Sequence, residues 1–280
     1  MPAVSRRTRG AMEKSQSVGT ELSPDPLRSG GTPLVVRSHF DTLVALSSAL
    51  AWILLFTAGR TGRIPIAIVL ALCGFVALRL ERREAAGLAF TTAIAAALIA
   101  VPGLLRLWPA PLILALATGL GVTRFRSTWL ERGELGRAVV GWTAAVIAVS
   151  ACALVAWWEI ARPDLADVPL PVGLHPALLA TGFLAWAVVN AAAEELYFRG
   201  ALQQELVRAL GRGGVVVQAA AFGFMHLHGF PGGWSGVALA TIFGLMVGAL
   251  RSRAGGLLAP WLAHLGADLT IAVIRLGLAA

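Results

Sequence analysis

Ionisable side chains lie inside or beside apolar runs at three places in the last third of the chain. The first is AAAEELYFRG, residues 191–200, where Glu194 and Glu195 are adjacent and Arg199 follows Glu195 by four positions. Positions i and i+4 share a face of an α-helix, so Glu195 and Arg199 can form an ion pair. Glu194 then points about 100° away from that pair and can face a cavity. The alternative is a helix end among lipid headgroups, where charges are well solvated.

Histidines mark the other two places. In AFGFMHLHG, His226 lies four residues after Phe222 at the end of an apolar run, and His228 follows two positions later. In WLAHLGAD, His264 and Asp268 are four residues apart and share one face of the last apolar run. An ionisable group inside a membrane segment is energetically expensive and is by default a candidate functional residue. The simpler explanations are an interfacial histidine in the first segment and a hydrogen bond between helices in the second.

The chemistry open to these side chains is the activation of water. A carboxylate and an imidazole can polarise a water molecule for attack on a carbonyl carbon, and a second imidazole can stabilise the oxyanion that forms. At about 1.5 Å per residue from the turns that join the helices, Glu194, His226, His264 and Asp268 reach a similar depth. One shared polar pocket is therefore expected, and it favours peptide-bond hydrolysis without a covalent intermediate.

The elements that position these side chains are predicted to be membrane helices. Of the 280 residues, 57% are hydrophobic and 14% are charged, whereas soluble domains carry about 25% charged residues. A membrane-spanning helix needs about 20 mostly apolar residues. Apolar runs occur at residues 43–58, 64–80, 86–105, 109–123, 138–158, 176–194, 214–228, 235–250 and 256–278. Because Pro102, Pro109 and Pro111 interrupt the third and fourth runs, we predict an all-α, polytopic transmembrane helical bundle of eight or nine spans.

Charge placement predicts the topology and the division of the chain. Residues 1–38 are basic, rich in Ser, Pro and Gly, and lack an apolar run, so we expect a disordered cytoplasmic tail. Basic residues cluster in alternate gaps between the runs, as the positive-inside rule requires, while the gap at 159–175 is mainly acidic. We predict N-terminal transmembrane helices in 39–170 and catalytic transmembrane helices in 171–280. Membrane topology thus accounts for the net charge of +8, and nucleic-acid binding is not expected.

The three motifs together resemble one known family. EELYFR fits the pattern EExxxR, the segment from Phe222 to His226 fits FxxxH, and the segment from His264 to Asp268 fits Hxxx(N/D). In this order, within successive membrane helices, they are similar to the CAAX protease and bacteriocin-processing enzyme family, also called the ABI family. That family includes the type II CAAX prenyl endopeptidases, which are glutamic intramembrane proteases. The resemblance covers about residues 176–275.

The resemblance implies roles for six residues. Water would be activated by Glu194 and His226, the oxyanion side would be lined by His264 and Asp268, and the site would be supported by Glu195 and Arg199. The last motif position is often Asn in this family, and here it is Asp268. An ionised aspartate has no proton to donate to an oxyanion. Asp268 is therefore expected either to be protonated or to orient His264.

A serine mechanism competes with the glutamic mechanism. GWSG, at residues 233–236, and AHLG, around His264, look like rhomboid protease motifs. Rhomboids place another helix between the serine and histidine helices, whereas here Ser235 and His264 lie on consecutive runs. A rhomboid-like site also leaves Glu194 and His226 without a role.

A metal site and a non-enzymatic role compete with it as well. Four side chains are plausible zinc ligands, namely Glu194, His226, His228 and His264. The chain contains no HExxH motif, and Cys73 and Cys152 lie apart within apolar runs, so we expect neither a metal nor another cofactor. Some relatives act chiefly in bacteriocin immunity, so a non-catalytic immunity or scaffold protein is an alternative.

The expected partners are the lipid bilayer and a membrane-associated protein or peptide substrate. We expect cleavage near the substrate's C-terminus, in processing or sorting. The Ala-, Arg- and Gly-rich composition suggests a GC-rich bacterium. The expected location is therefore the bacterial inner (plasma) membrane, with the N-terminus in the cytoplasm.

Overall fold

The described chain is a bundle of helices. A computed structural model describes residues 39–124, 128–163 and 173–277, and within these ranges it contains no β-strand. The α-helices are α1 His39–Thr57, α2 Arg60–Arg79, α3 Arg83–Ala100, α4 Ala110–Val122, α5 Arg137–Ala161, α6 Pro176–Glu195, α7 Gln203–Leu210, α8 Gly213–Met225, α9 Gly233–Ala254 and α10 Leu258–Gly277. A π-helical run, Leu196–Leu202, joins α6 to α7. The predicted all-α class is confirmed.

Local sequence signals account for several of the helix ends. The prolines predicted to interrupt the third and fourth runs lie where α3 ends, a 3-10 turn Leu104–Leu107 follows, and α4 begins. Pro176 occupies the first turn of α6, where a missing backbone N–H is tolerated. The ring of His175 caps that helix, with its Nδ1 accepting a hydrogen bond from the Ala177 amide at 3.2 Å. Gly255 ends α9 in the left-handed region that favours glycine.

Among the described residues, six helical segments are long and apolar enough to cross a bilayer. They are His39–Thr57, Thr61–Arg79, Arg83–Ala100, Arg137–Ala161, Pro176–Leu210 and Gly233–Ala254. The protein is accordingly an integral membrane protein. At 13 residues each, α4 and α8 are about 20 Å long, which is short of the roughly 30 Å hydrocarbon core. The predicted count of eight or nine spans is therefore not confirmed.

Two sequence predictions lie outside the described residues or at their edge. The tail at 1–38 is not described, and neither are 164–172, which contain part of the acidic gap and the predicted boundary between 170 and 171. The division into N-terminal and catalytic helices, and the cytoplasmic N-terminus, stay predictions.

The core ties the N-terminal helices to the segment that follows α6. Trp52 of α1 is fully buried, and its ring lies 5.1 Å from that of Tyr197 and 5.3 Å from that of Phe198. The Tyr197 hydroxyl group also shares a hydrogen bond of 2.5 Å with the hydroxyl group of Thr92 in α3. The N-terminal helices thus fix the position of the π-helical run.

Candidate active site

Glu195 and Arg199 form the ion pair that their spacing predicts. Arg199 Nη1 lies 2.8 Å from Glu195 Oε1, and both side chains are buried. The guanidinium carbon lies 4.4 Å from the centre of the Phe222 ring, which adds a cation–π contact. The backbone between them is π-helical and not α-helical as expected. Such runs are rare and are frequent at functional sites.

The π-helical run leads into a second buried polar contact. Gln203, the first residue of α7, donates from Nε2 to the Gly248 carbonyl of α9 at 2.9 Å. The same nitrogen lies 3.3 Å from the Ser252 hydroxyl group. These polar contacts to α9 fix which face of α7 is buried.

Glu194 points away from the Glu195–Arg199 pair and lines a cavity. Its Oε1 accepts a hydrogen bond of 2.7 Å from the indole N–H of Trp108. Its Oε2 is buried, makes no hydrogen bond within the described residues, and lies 3.6 Å from His264 Nε2. One carboxylate oxygen is therefore held by the protein, while the other is left for a further partner.

His264 is held by the supporting glutamate. Its Nδ1 lies 2.7 Å from Glu195 Oε1, the oxygen that also pairs with Arg199. A carboxylate only accepts, so this contact places a proton on Nδ1. His264 Nε2 lies 3.7 Å from Asp268 Oδ1 and faces Glu194. Nε2 can donate to an oxyanion only when the ring carries both protons, since Nδ1 already holds one.

Asp268 has a partner that the sequence analysis did not identify. Asn190 Nδ2 donates to Asp268 Oδ2 at 3.0 Å, and both residues are buried. Asn190 precedes Glu194 by four positions and shares its face of α6. That spacing, inside an apolar run, is the signal that could have identified it.

His226 begins the 3-10 turn that follows α8. Its Nδ1 lies 3.1 Å from the Phe222 carbonyl oxygen, and its ring packs 4.8 Å from the Phe222 ring. A carbonyl oxygen only accepts, so Nδ1 carries the proton and Nε2 of the neutral ring is an acceptor. Nε2 is thus suited to take a proton from water. His228 lines the same cavity, and its Nε2 lies 3.0 Å from the Phe56 carbonyl oxygen.

The cavity has a volume of about 390 Å³ and is mainly apolar apart from the site residues. Glu194, His226, His264 and Asp268 all line it. The structure therefore brings the four side chains to one cavity, as their similar depth predicts. Val149 of α5 and Ile242 of α9 also line the cavity, and their side chains are 54% and 56% exposed.

Comparison with known families finds a match in the region that contains these glutamates and histidines. Residues 176–270 match the sequence model of the family described as type II CAAX prenyl endopeptidase Rce1-like. We call residues 176–270 the Rce1-like region because of this similarity. The match confirms the resemblance predicted from the motifs, contains all six predicted site residues, and covers about a third of the chain. No curated protein and no solved structure matches the chain.

The hydrogen bond that Glu194 accepts from Trp108 comes from outside the Rce1-like region. Trp108 lies between α3 and α4, 86 positions before the carboxylate to which it donates. In the sequence, the neighbouring prolines indicate only an interruption between spans. No local spacing relates Trp108 to Glu194, so no motif could have identified it.

The rival serine is engaged elsewhere. Ser235 Oγ accepts a hydrogen bond of 3.1 Å from the Trp157 indole and donates to the Gly232 carbonyl at 3.2 Å. It is not among the residues that line the cavity, whereas His264 is. Within residues 39–124, 128–163 and 173–277, no group of three His, Cys, Asp or Glu side chains has the arrangement of a metal site.

Proposed function

We propose that the protein is an intramembrane glutamic endopeptidase that hydrolyses a peptide bond of a membrane-associated protein or peptide. The observation that carries the proposal is the environment of Glu194. Its Oε2 has no hydrogen-bond partner within the described residues and lies beside His264, in a cavity that His226 also lines. A water molecule bound there would meet two proton acceptors, Glu194 Oε2 and His226 Nε2.

In the proposed reaction, water loses a proton to Glu194 or His226 while its oxygen attacks the scissile carbonyl carbon. The carbonyl oxygen becomes an oxyanion and accepts a hydrogen bond from Nε2 of doubly protonated His264. Collapse of this intermediate breaks the C–N bond, and the proton taken from water passes to the leaving amine. Glu195 and Arg199 hold His264 and need not contact the substrate.

The position of Asp268 supports an orienting role and not an oxyanion role. One of its oxygens is engaged by Asn190 and the other faces His264 Nε2. A carboxylate in this position can balance the charge of the imidazolium form. The absence of the Asn common in the family is then accommodated, because His264 supplies the proton to the oxyanion.

The shape and lining of the cavity support a substrate that arrives from the bilayer. The cavity is lined in part by Val149 and Ile242, exposed residues of two helices that are apolar enough to span a membrane. The matched family is described as type II CAAX prenyl endopeptidase, and CAAX is a C-terminal motif whose Cys is prenylated. We propose processing near the C-terminus of a membrane-tethered chain, in a bacterial inner membrane with the protein's N-terminus in the cytoplasm.

The proposal is tested with purified protein in lipid vesicles. The probes are a quenched fluorescent peptide ending in a farnesylated CAAX sequence and the same peptide without the farnesyl group. Glu194→Gln keeps the side-chain size and removes the proton acceptor, so we expect cleavage to fall by about 10³-fold or more. Glu159→Gln, at an exposed carboxylate outside the cavity, is the matched control and keeps activity.

A second arm covers substrates other than the probes. Mass spectrometry of membrane protein termini compares cells carrying the wild type with cells carrying Glu194→Gln. Cleavage that is equal in both, or complementation of a deletion by Glu194→Gln, would contradict the proposal and support an immunity or scaffold role. Activity that a strong chelator abolishes and zinc restores would support a metalloprotease instead.

A further inference from the structure

The strongest feature outside the Rce1-like region is the indole N–H of Trp108, which donates to Glu194 Oε1 at 2.7 Å. An indole N–H is a donor only, so it can bind the carboxylate but cannot compete for a proton. With Oε1 engaged, the unpartnered Oε2 is the oxygen left to receive a proton from water. Trp108 therefore selects which oxygen of Glu194 faces the reaction.

Trp108 is itself held in place from two sides. Its backbone carbonyl accepts a hydrogen bond of 3.3 Å from the indole of Trp186, which lies on α6 with Glu194. Its ring packs edge-on against the buried ring of Trp52, with 6.3 Å between the ring centres. The residue also lines the cavity. The short connection between α3 and α4 is thus fastened to the helix of the candidate catalytic glutamate.

Resting on the proposed function, we propose that Trp108 is a positioning residue that orients the Glu194 carboxylate for water activation. The N-terminal helices then supply part of the active-site geometry, and the matched region does not contain the whole site. A residue of this kind changes the rate of the chemical step more than substrate binding, because misplacing a reacting group by about 1 Å can cost on the order of 100-fold.

The hydrogen bond is tested first, without any substrate. In ¹H–¹⁵N spectra of indole groups in micelles, the Trp108 signal is identified by its loss in Trp108→Phe. We expect Glu194→Gln to move this signal strongly, because a neutral amide replaces a charged acceptor, and to leave the Trp157 signal in place. A Trp108 signal that does not respond to Glu194→Gln overturns the inference, whether or not the protein is a protease.

The role is then tested by kinetics on the peptide that the wild type cleaves. Replacing Trp108 by 3-benzothienylalanine keeps the ring shape and removes only the N–H, so folding is preserved better than in Trp108→Phe. We expect kcat to fall about 10- to 100-fold with KM within about twofold. Trp186→Phe releases the Trp108 carbonyl and is expected to lower kcat by a smaller factor, about threefold.

Trp157→Phe is the matched control, since it removes the same indole N–H from a contact with Ser235. It is expected to leave kcat and KM unchanged. An unchanged kcat in the benzothienyl variant, or a rise in KM alone, overturns the positioning role. Absence of any Glu194-dependent cleavage by the wild type contradicts the proposed function instead, and the spectra still decide whether Trp108 holds Glu194.

Discussion

The N-terminal helices, α1 to α4, and the Rce1-like helices differ in how their polar side chains are used. In the Rce1-like region, buried ionisable groups contact one another, as Glu195 does with Arg199 and with His264. In the N-terminal helices, buried polar groups mostly serve packing, such as Thr91, whose hydroxyl group bonds to the Gly87 carbonyl. In the proposed function, the Rce1-like region carries the reacting groups, and the N-terminal part of the chain, including Trp108, holds them in position.

The largest effect should come from breaking a buried ion pair of the Rce1-like region. Arg199→Ala leaves the buried Glu195 with only its contact to His264, which should lower the free energy of unfolding by about 3–5 kcal/mol. Arg82→Ala breaks the pair with the buried Asp41 in the N-terminal helices; because Arg82 is 38% exposed, water can replace its guanidinium, and the cost should be smaller, about 1–3 kcal/mol. Thermal unfolding in detergent measures both. Equal losses would remove the contrast between the regions.

The packing role of the N-terminal helices is tested by a glycine pair within α4. A Cβ at Gly119 would overlap Thr91 and approach the Gly87 carbonyl oxygen at 3.0 Å, so Gly119→Ala should destabilise the protein by about 1–3 kcal/mol. Gly121 has open space around its Cβ position, and Gly121→Ala should be neutral or stabilising by up to about 1 kcal/mol. Unfolding midpoints of the two variants measure the difference. A stable Gly119→Ala would mean that α3 and α4 pack loosely.

Replacing Asn190 tests the positioning of His264 by kinetics, where the preceding variants test stability. Asn190→Ala removes the hydrogen bond to Asp268, so His264 is less well oriented and kcat should fall about tenfold. KM should stay within about twofold of the wild type. Steady-state kinetics on the cleaved peptide provide the measurement, and Thr181→Ala, on the exposed face of α6, is the control. A change confined to KM would assign Asn190 to substrate binding.

The smallest effect on cleavage is expected from replacing Ser235, the candidate nucleophile of the serine mechanism. Ser235→Ala removes a hydroxyl group bonded to Trp157 and Gly232 outside the cavity, so cleavage should stay within about twofold of the wild type. Loss of activity together with loss of labelling by a serine-reactive fluorophosphonate would revive the serine mechanism. Loss of activity with lowered stability would instead reflect the broken contact to Trp157.

Contacts between residues that are close in the sequence can be predicted from it, whereas contacts between distant residues cannot. Composition and apolar runs predict the helices, and i,i+4 spacing predicts the Glu195–Arg199 pair, because both depend on neighbouring residues. The pairing of His264 with Glu195 spans 69 positions, and that of Trp108 with Glu194 spans 86. Such contacts depend on how helices pack, which no local pattern specifies. The π-helical run also escaped prediction, because LYFRGAL fits an α-helix equally well.

That run also determines which changes the Rce1-like region tolerates. Each residue removed from or added to a helix rotates everything after it by about 100°. A one-residue deletion within Leu196–Leu202 would turn Gln203 away from the Gly248 carbonyl and displace the buried face of α7. Substitutions on its surface leave that rotation intact, whereas changes in length do not. Grafting this segment between homologous scaffolds, or building it as an ideal α-helix, therefore requires the residue count between Glu195 and Gln203 to be kept.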